Sequence, residues 1–361
     1  MENKIKSQSI KGELMYYLSE EESDRIKIIK FIAIVFVVYI HSYSGEMSFL
    51  NQGNVIYMPE WLQLFEYSIS QVISRCGVPV FFLTASVLFF KRERKFGDVF
   101  RNKVKTLLCP YLIWNTFWIV VFIVLQSMPF TQSYFSGLHT SIMEGSILEW
   151  LRLYGIGQEY PHCYPLWFMR DLMIVFLFFP IIKKIVNKYP YAMLAWGGVL
   201  TIISIHFPFK TALSWFIIGA VIVRKKIHMS IVEQLSLIKL TAIAIAGFLI
   251  CILLNIDFIK DIYIYIEIIL LIRISKYIYA HKTIRKKVLW LSEWTFIIYV
   301  FHELTLTSIK KLCLRLLPGE AIFLLMEYIF IPIFVIICCI ILGIILKKTM
   351  FKLYVITTGG R

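Results

Sequence analysis

The chain has 361 residues, 59% of them hydrophobic and only 17% charged, with a mean hydropathy of +0.73. A soluble domain of this length carries nearer a quarter charged residues, so a soluble globular protein is excluded. The formal net charge of +15 would suggest nucleic acid in a soluble protein, but here the bases cluster between apolar runs, as in cytoplasmic loops, and nucleic acid is set aside as a partner.

The apolar runs are continuous, not alternating, and long enough to cross a ~30 Å hydrocarbon core as helices. Taken in chain order they predict about ten transmembrane helices, near 26–44, 68–90, 107–127, 166–182, 191–206, 209–223, 236–254, 259–275, 290–308 and 321–346. The expected fold is thus all-α and integral to the membrane. A mixed-charge tail, 1–25, precedes the first run, and no small-residue cleavage site follows it, so this run is expected to be a retained span. The fifth and sixth runs are short and joined at His206-Phe-Pro-Phe-Lys210.

The loops set the orientation. Segment 91–105 holds Lys91, Arg92, Arg94, Lys95, Arg101, Lys103 and Lys105. Lys183, Lys184 and Lys188, then Arg224, Lys225 and Lys226, then the bases between Arg273 and Lys287 fall in alternate loops, and Lys347, Lys348 and Lys352 lie in the tail 347–361. Loop 45–66 has no Lys or Arg, and 128–165 has only Arg152. The positive-inside rule then puts both termini in the cytoplasm. Segment 309–320, with Lys310, Lys311 and Arg315, is the exception. The long outer loop 128–165, rich in aromatics, reads equally as a re-entrant cover or a passive interfacial belt. No repeat appears, and 26–346 is expected to form one membrane domain. The seven Cys residues have no zinc or disulfide spacing, and no metal site is expected.

Ionisable groups at membrane depth are costly, so each is a functional candidate beside its packing role. Lys30 and His41 lie eleven residues apart, which returns them to within about 20° of one helix face. Arg75 lies on the second span, where pairing with a carboxylate competes with a direct role. Arg170 and Asp171 open the fourth span; as neighbours they are expected to point apart and need different partners. His302 lies on the ninth span, which Glu293 starts, with Tyr299 one turn below it. The topology puts His41, Arg75, Arg170, Asp171 and His302 at one depth in the outer half, as if around one polar cavity. A histidine there is suited to take a proton from a hydroxyl, or to act as a structural hydrogen-bonder.

These residues resemble the acyltransferase-3 family of integral membrane acyltransferases, many of which O-acetylate bacterial surface glycans. The run Ile28 to Ser42, a basic residue, ten spacers and a His, looks like that family's first span. Arg75-Cys-Gly-Val-Pro-Val-Phe-Phe-Leu83 is similar to its second-span signature. Lys103 through Pro110-Tyr111 looks like the approach to its third span. Leu166-Trp-Phe-Met-Arg-Asp-Leu172 resembles its Leu-Trp-Phe-Leu element, and Phe296 to His302 its late Tyr…His element. Two departures stand out: Lys30 replaces the usual Arg, and Ala85-Ser86 the usual Ser-Gly.

The resemblance implies transfer of an acyl group, acetyl first, from cytoplasmic acetyl-CoA or another acyl-CoA to a hydroxyl of a lipid-linked or cell-surface glycan. It implies a multi-pass protein of a bacterial inner or plasma membrane, with no bound cofactor. His41 would be base or transient acyl acceptor. Lys30, Arg101, Lys103 and Lys105 would attract the CoA. Arg75, Trp167, Arg170, Tyr299 and His302 would hold the acceptor or the oxyanion, and Asp171 would hold an arginine. The alternatives are a small-solute transporter or permease on the same scaffold, and a structural membrane subunit; acceptor identity and oligomeric state are open.

Overall fold

The computed structural model of the chain describes residues 16–44, 49–51, 54–56, 58–129, 131, 145–158, 160–203, 207–317 and 319–360. Most of the expected 1–25 tail, the middle of the 128–165 loop and His206 lie outside the described residues. The fold is helical, except that β1 (Phe49–Asn51) and β2 (Asn54–Ile56) pair antiparallel with Leu50 opposite Val55.

Each predicted span falls on a helix, but the boundaries move for local chemical reasons. α1 runs Glu20–Ser42, six residues ahead of its apolar run. Its start is fixed by a capping box: Glu22 N donates to Ser19 Oγ at 3.0 Å, and Ser19 N donates to Glu22 Oε2 at 3.1 Å. The second span begins as α2 (Glu60–Tyr67), loosens into a wide π turn at Ser68–Ile73, and resumes as α3 (Gly77–Phe90). Gly77 and Pro79 sit where it resumes, and a side chain at Gly77 would press on Ala33 O of α1 at 3.0 Å. α4 (Phe96–Lys103) passes through a π turn, Val104–Leu108, into α5 (Cys109–Ser127).

The connection from α5 carries a short helix, α6 (Ile147–Leu153), and a single 3-10 turn, Tyr164–Leu166, leads into α7 (Trp167–Leu177). α8 (Phe179–Lys188) turns away from α7 by 62°, because Pro180 has no N–H to continue the ladder. α9 (Pro190–Ile202), α10 (Lys210–Arg224), the short α11 (Ser230–Glu233), α12 (Leu237–Leu254) and α13 (Asp257–Ala280) follow. The ninth predicted span is broken at Glu293-Trp294 into α14 (Lys282–Ser292) and α15 (Thr295–Leu316). α16 (Ala321–Thr349) and α17 (Phe351–Thr358) close the chain.

Among the described residues, four helical stretches are long and apolar enough to cross a membrane: Glu60–Phe90, Phe96–Ser127, Leu237–Leu254 and Ala321–Thr349. The bent pair α7 and α8 would make a fifth. α1, α13 and α15 have the length but carry charges along it. Outward faces are apolar; on α12, Ile238 and Leu253 are 83% and 79% exposed, as expected of surface that lipid covers.

α1 is the axis of the bundle. It packs on α3, α13, α14 and α15, while α3 lies on α10 and α15 on α16. The α3–α10 contact is close enough that a Cβ on Gly219 would fall 2.5 Å from Ser86 Cβ, and Ser86 Oγ donates to Phe216 O at 2.6 Å. So the departure from Ser-Gly at Ala85-Ser86 does not remove a close approach; the glycine stands on the facing helix. Near the start of α1, Arg25, 1% exposed, donates to Glu21, Glu233, Ser275 Oγ and Ile272 O, tying α1 to α11 and α13.

Candidate active site

A cavity of about 360 Å³ runs beside α1. The ten spacers between Lys30 and His41 put both on its wall, one toward each end. At the Lys30 end the lining adds Arg94, Asn102, Lys103, Ser292 and Glu293. Lys30, Arg94 and Lys103 give the lining three cations, and Glu293 also meets Lys347, Oε2 to Nζ at 3.2 Å. Lys103 Nζ lies 3.7 Å from the centre of the Phe176 ring, and Arg94 Cζ stands 5.5 Å over Phe89, so aromatic faces hold the charges at the rim. Arg94 Nε is buried with no hydrogen-bond partner among the described residues. Arg101 and Lys105, expected beside Lys103, are exposed and outside the lining. Residue Arg94 was counted in the sequence only as loop charge.

The waist is apolar. Phe81, Thr84, Ala85 and Leu88 come from α3, Trp167, Phe168 and Phe176 from α7, and Phe296 from α15. At the far end His41 meets Tyr164 edge-on at 5.5 Å between ring centres, and His302 at 5.1 Å with a 60° tilt. Tyr299 lines the wall and its hydroxyl donates to Pro165 O at 2.6 Å, which fixes the start of α7 against α15.

Just beyond His41, Lys310 Nζ donates to Ser42 O at 2.6 Å and Ser44 Oγ at 2.7 Å, and Ser44 N donates to Glu66 Oε2 at 3.0 Å. A lysine on the last carbonyls of a helix satisfies them and suits its dipole. This accounts for one of the three bases in the exception to the charge pattern: α15 continues past 308, so Lys310 is a helix-capping group and not a loop base.

The five residues expected around one cavity are not brought together. His41 lines it and His302 backs His41, whereas Arg75, Arg170 and Asp171 are absent from the lining. Arg75 faces α13, donating to Asp257 Oδ1 at 3.2 Å and Asp261 Oδ1 at 3.0 Å. Arg170 and Asp171 do not point apart. Arg170 Nε and Nη2 both donate to Asp171 Oδ1, at 3.0 and 2.9 Å, and Nη1 reaches Gln158 O at 3.0 Å. A long Arg side chain can fold back onto its neighbour while its fork spans to a third group. This pair, with Tyr111 OH on Tyr154 O and Asn115 Nδ2 on Leu153 O, fastens the segment around α6 to α5 and α7.

A family described as an acyltransferase domain matches residues 23–346, and the chain belongs to that family. It is also similar to the succinoglycan biosynthesis protein ExoH of Rhizobium meliloti (strain 1021), 27% identical over 174 residues. That match takes in 46% of this chain and 44% of the relative, so the chain spans less than half of the relative's length. No solved structure matches it.

Proposed function

We propose that the chain is a multi-pass membrane O-acyltransferase, moving a short acyl group, acetyl first, from cytoplasmic acyl-CoA to a hydroxyl of a cell-surface or lipid-linked glycan. The observation that carries this reading is one cavity with Lys30, Arg94 and Lys103 at one end and His41 at the other. The cations suit the phosphates of CoA. The two ends are about 16 Å apart along α1, at 1.5 Å per residue, a distance the extended pantetheine arm spans through the apolar waist. The family match supports the chemistry, and the relative's role in succinoglycan biosynthesis supports a polysaccharide acceptor. About ten spans with both termini in the cytoplasm put the cationic end inside and His41 toward the outer face of a cell membrane.

In this reading His41 acts as general base. The acceptor hydroxyl gives it a proton while the oxygen bonds to the thioester carbon. The C–S bond then breaks, and the thiolate takes the proton back, so atoms and charge balance. Trp167 and Tyr299 shape the chamber beside His41. Arg170 and Asp171 hold the outer segment, and Arg75 holds α13.

The test is transfer of label from radiolabelled acetyl-CoA in native-host membranes carrying the chain or His41→Ala at equal protein level. Loss of a base is expected to slow transfer about 10²- to 10⁴-fold. Equal labelling would remove His41 from the mechanism; no labelling by the unaltered chain, with uptake of a small solute, would favour a transporter.

A further inference from the structure

His302 is fully buried on α15. Its Nδ1 lies 2.9 Å from Ile298 O and 2.9 Å from Tyr299 O. A carbonyl oxygen only accepts, so Nδ1 must carry the ring proton, and Nε2 of the neutral ring is a bare acceptor. That Nε2 is buried with no hydrogen-bond partner among the described residues, a state that costs free energy unless something meets it. The His41 ring stands beside it, 5.1 Å away between centres with a 60° tilt. An ordinary N–H···N bond between two imidazoles places their centres about 5 Å apart, so the two rings stand at the separation such a bond requires.

We infer that His302 is a positioning residue for His41: its Nε2 takes the N–H of His41, fixes that ring in one tautomer, and leaves the other His41 nitrogen bare toward the cavity. The inference rests on the acyl-transfer reading and deepens it. The Nδ1 proton is already committed to two backbone carbonyls, so neutral His302 has no donor left for an oxyanion, and the oxyanion role expected from the resemblance falls away. During transfer His41 gains the hydroxyl proton on its bare nitrogen and keeps its N–H on His302. It returns the gained proton to the thiolate, and the proton on His302 never moves.

The test joins two measurements on the full chain. In bilayers with ring-¹⁵N histidine, His302 is expected in the Nδ1–H form and His41 in a single tautomer, assigned by difference against His302→Asn and His41→Ala. His302→Asn keeps a donor near the Nδ1 position and deletes the acceptor; His302→Gln sets a carbonyl oxygen near the Nε2 position. With His302→Asn, His41 is expected to show both tautomers. The kcat for acetyl transfer should then fall about 10- to 100-fold, the usual effect of losing a group that orients a histidine. The KM for acetyl-CoA should stay unchanged, and His302→Gln should recover part of kcat. A proton on His302 Nε2 in the unaltered chain, an unchanged single tautomer of His41 in His302→Asn, or a rise in KM in place of a fall in kcat overturns the inference. If the unaltered chain transfers nothing, the acyl-transfer reading falls, and the spectra still decide the pairing.

Discussion

Replacing Gly219 with Ala tests the packing that sets the cavity wall. The new Cβ would lie 2.5 Å from Ser86 Cβ, 2.7 Å from its Oγ and 3.0 Å from Leu83 O. Neither a Cβ nor a backbone carbonyl can rotate aside, so α3 and α10 must part, and the Ser86 Oγ bond to Phe216 O breaks. Overpacking costs about 1–3 kcal/mol and the lost bond about 1 kcal/mol, so Gly219→Ala should destabilise by about 2–4 kcal/mol. Ser86→Gly alone should cost about 2 kcal/mol, from the same bond and a glycine inside a helix. In the double mutant the two closest clashes, with Ser86 Cβ and Oγ, are absent and only the 3.0 Å approach to Leu83 O remains, because the glycine has only changed helices. The pair should therefore be about 2–4 kcal/mol more stable than the sum of the single changes, from the relieved clash and from the bond that each single change loses and the double loses only once. Thermal unfolding of the four purified proteins in one detergent measures this. Additivity within about 0.5 kcal/mol, or a Gly219→Ala protein that melts with the unaltered chain, would refute the reasoning.

Three further outcomes follow from named contacts. Lys103→Gln and Arg94→Gln should each raise the KM for acetyl-CoA and change kcat little, since both sit at the cationic end of the cavity; steady-state kinetics at several donor concentrations decides it, and an unchanged KM in both would remove the donor from that end. Arg75→Gln should lower the melting midpoint through its lost bonds to Asp257 and Asp261 while KM for donor and acceptor stay put; a change in KM would place Arg75 in the site. Arg25→Met should cost about 3 kcal/mol, near the low end for breaking a buried ion pair, because Glu233 keeps its bond to Lys276. Burial raises the pKa of Glu233, but bonds from Lys276 and Arg25 outweigh it and hold the carboxyl below its usual value of 4.5. A lowered folded pKa gives stability that is present above the unfolded value and lost as pH falls through the folded one. Melting should therefore drop on acidification below about pH 4.5, and less steeply in Arg25→Met; equal slopes would sink the linkage.

Hydropathy located the helices and missed their ends. α1 begins six residues early because Ser19 and Glu22 close a capping box, and α6 begins at a second one, Ser146 with Glu149. Both are S-x-x-E signatures that the sequence displays, but polar first turns disappear in a search for apolar runs. The same bias ended the ninth run at 308, although α15 continues to Leu316. The bend between α7 and α8 was legible in Pro180. The number of crossing helices does not follow from length and apolarity alone, because α1, α13 and α15 are long enough but carry charges along their length.

The site divides along a similar line. A count along one helix gives both height and direction, since residues eleven apart share a face, so Lys30 and His41 were correctly placed on one wall. Between helices, a count from the membrane surface gives height alone. Arg75 lies in the turn between Ile73 and Gly77, in a span that packs on the helix of His41, but it turns toward α13, where Asp257 and Asp261 stand one turn apart on one face. That i, i+4 carboxylate pair was the signal for its direction. Lys310 shows the converse. Its charge looked misplaced in a loop, yet its ammonium sits on Ser42 O, one residue past His41, where it holds the end of the helix that presents the histidine. A charge that breaks the topological pattern is thus worth testing first as a cap on a neighbouring helix, because the last carbonyls of a buried helix need a donor as much as a loop needs solvent.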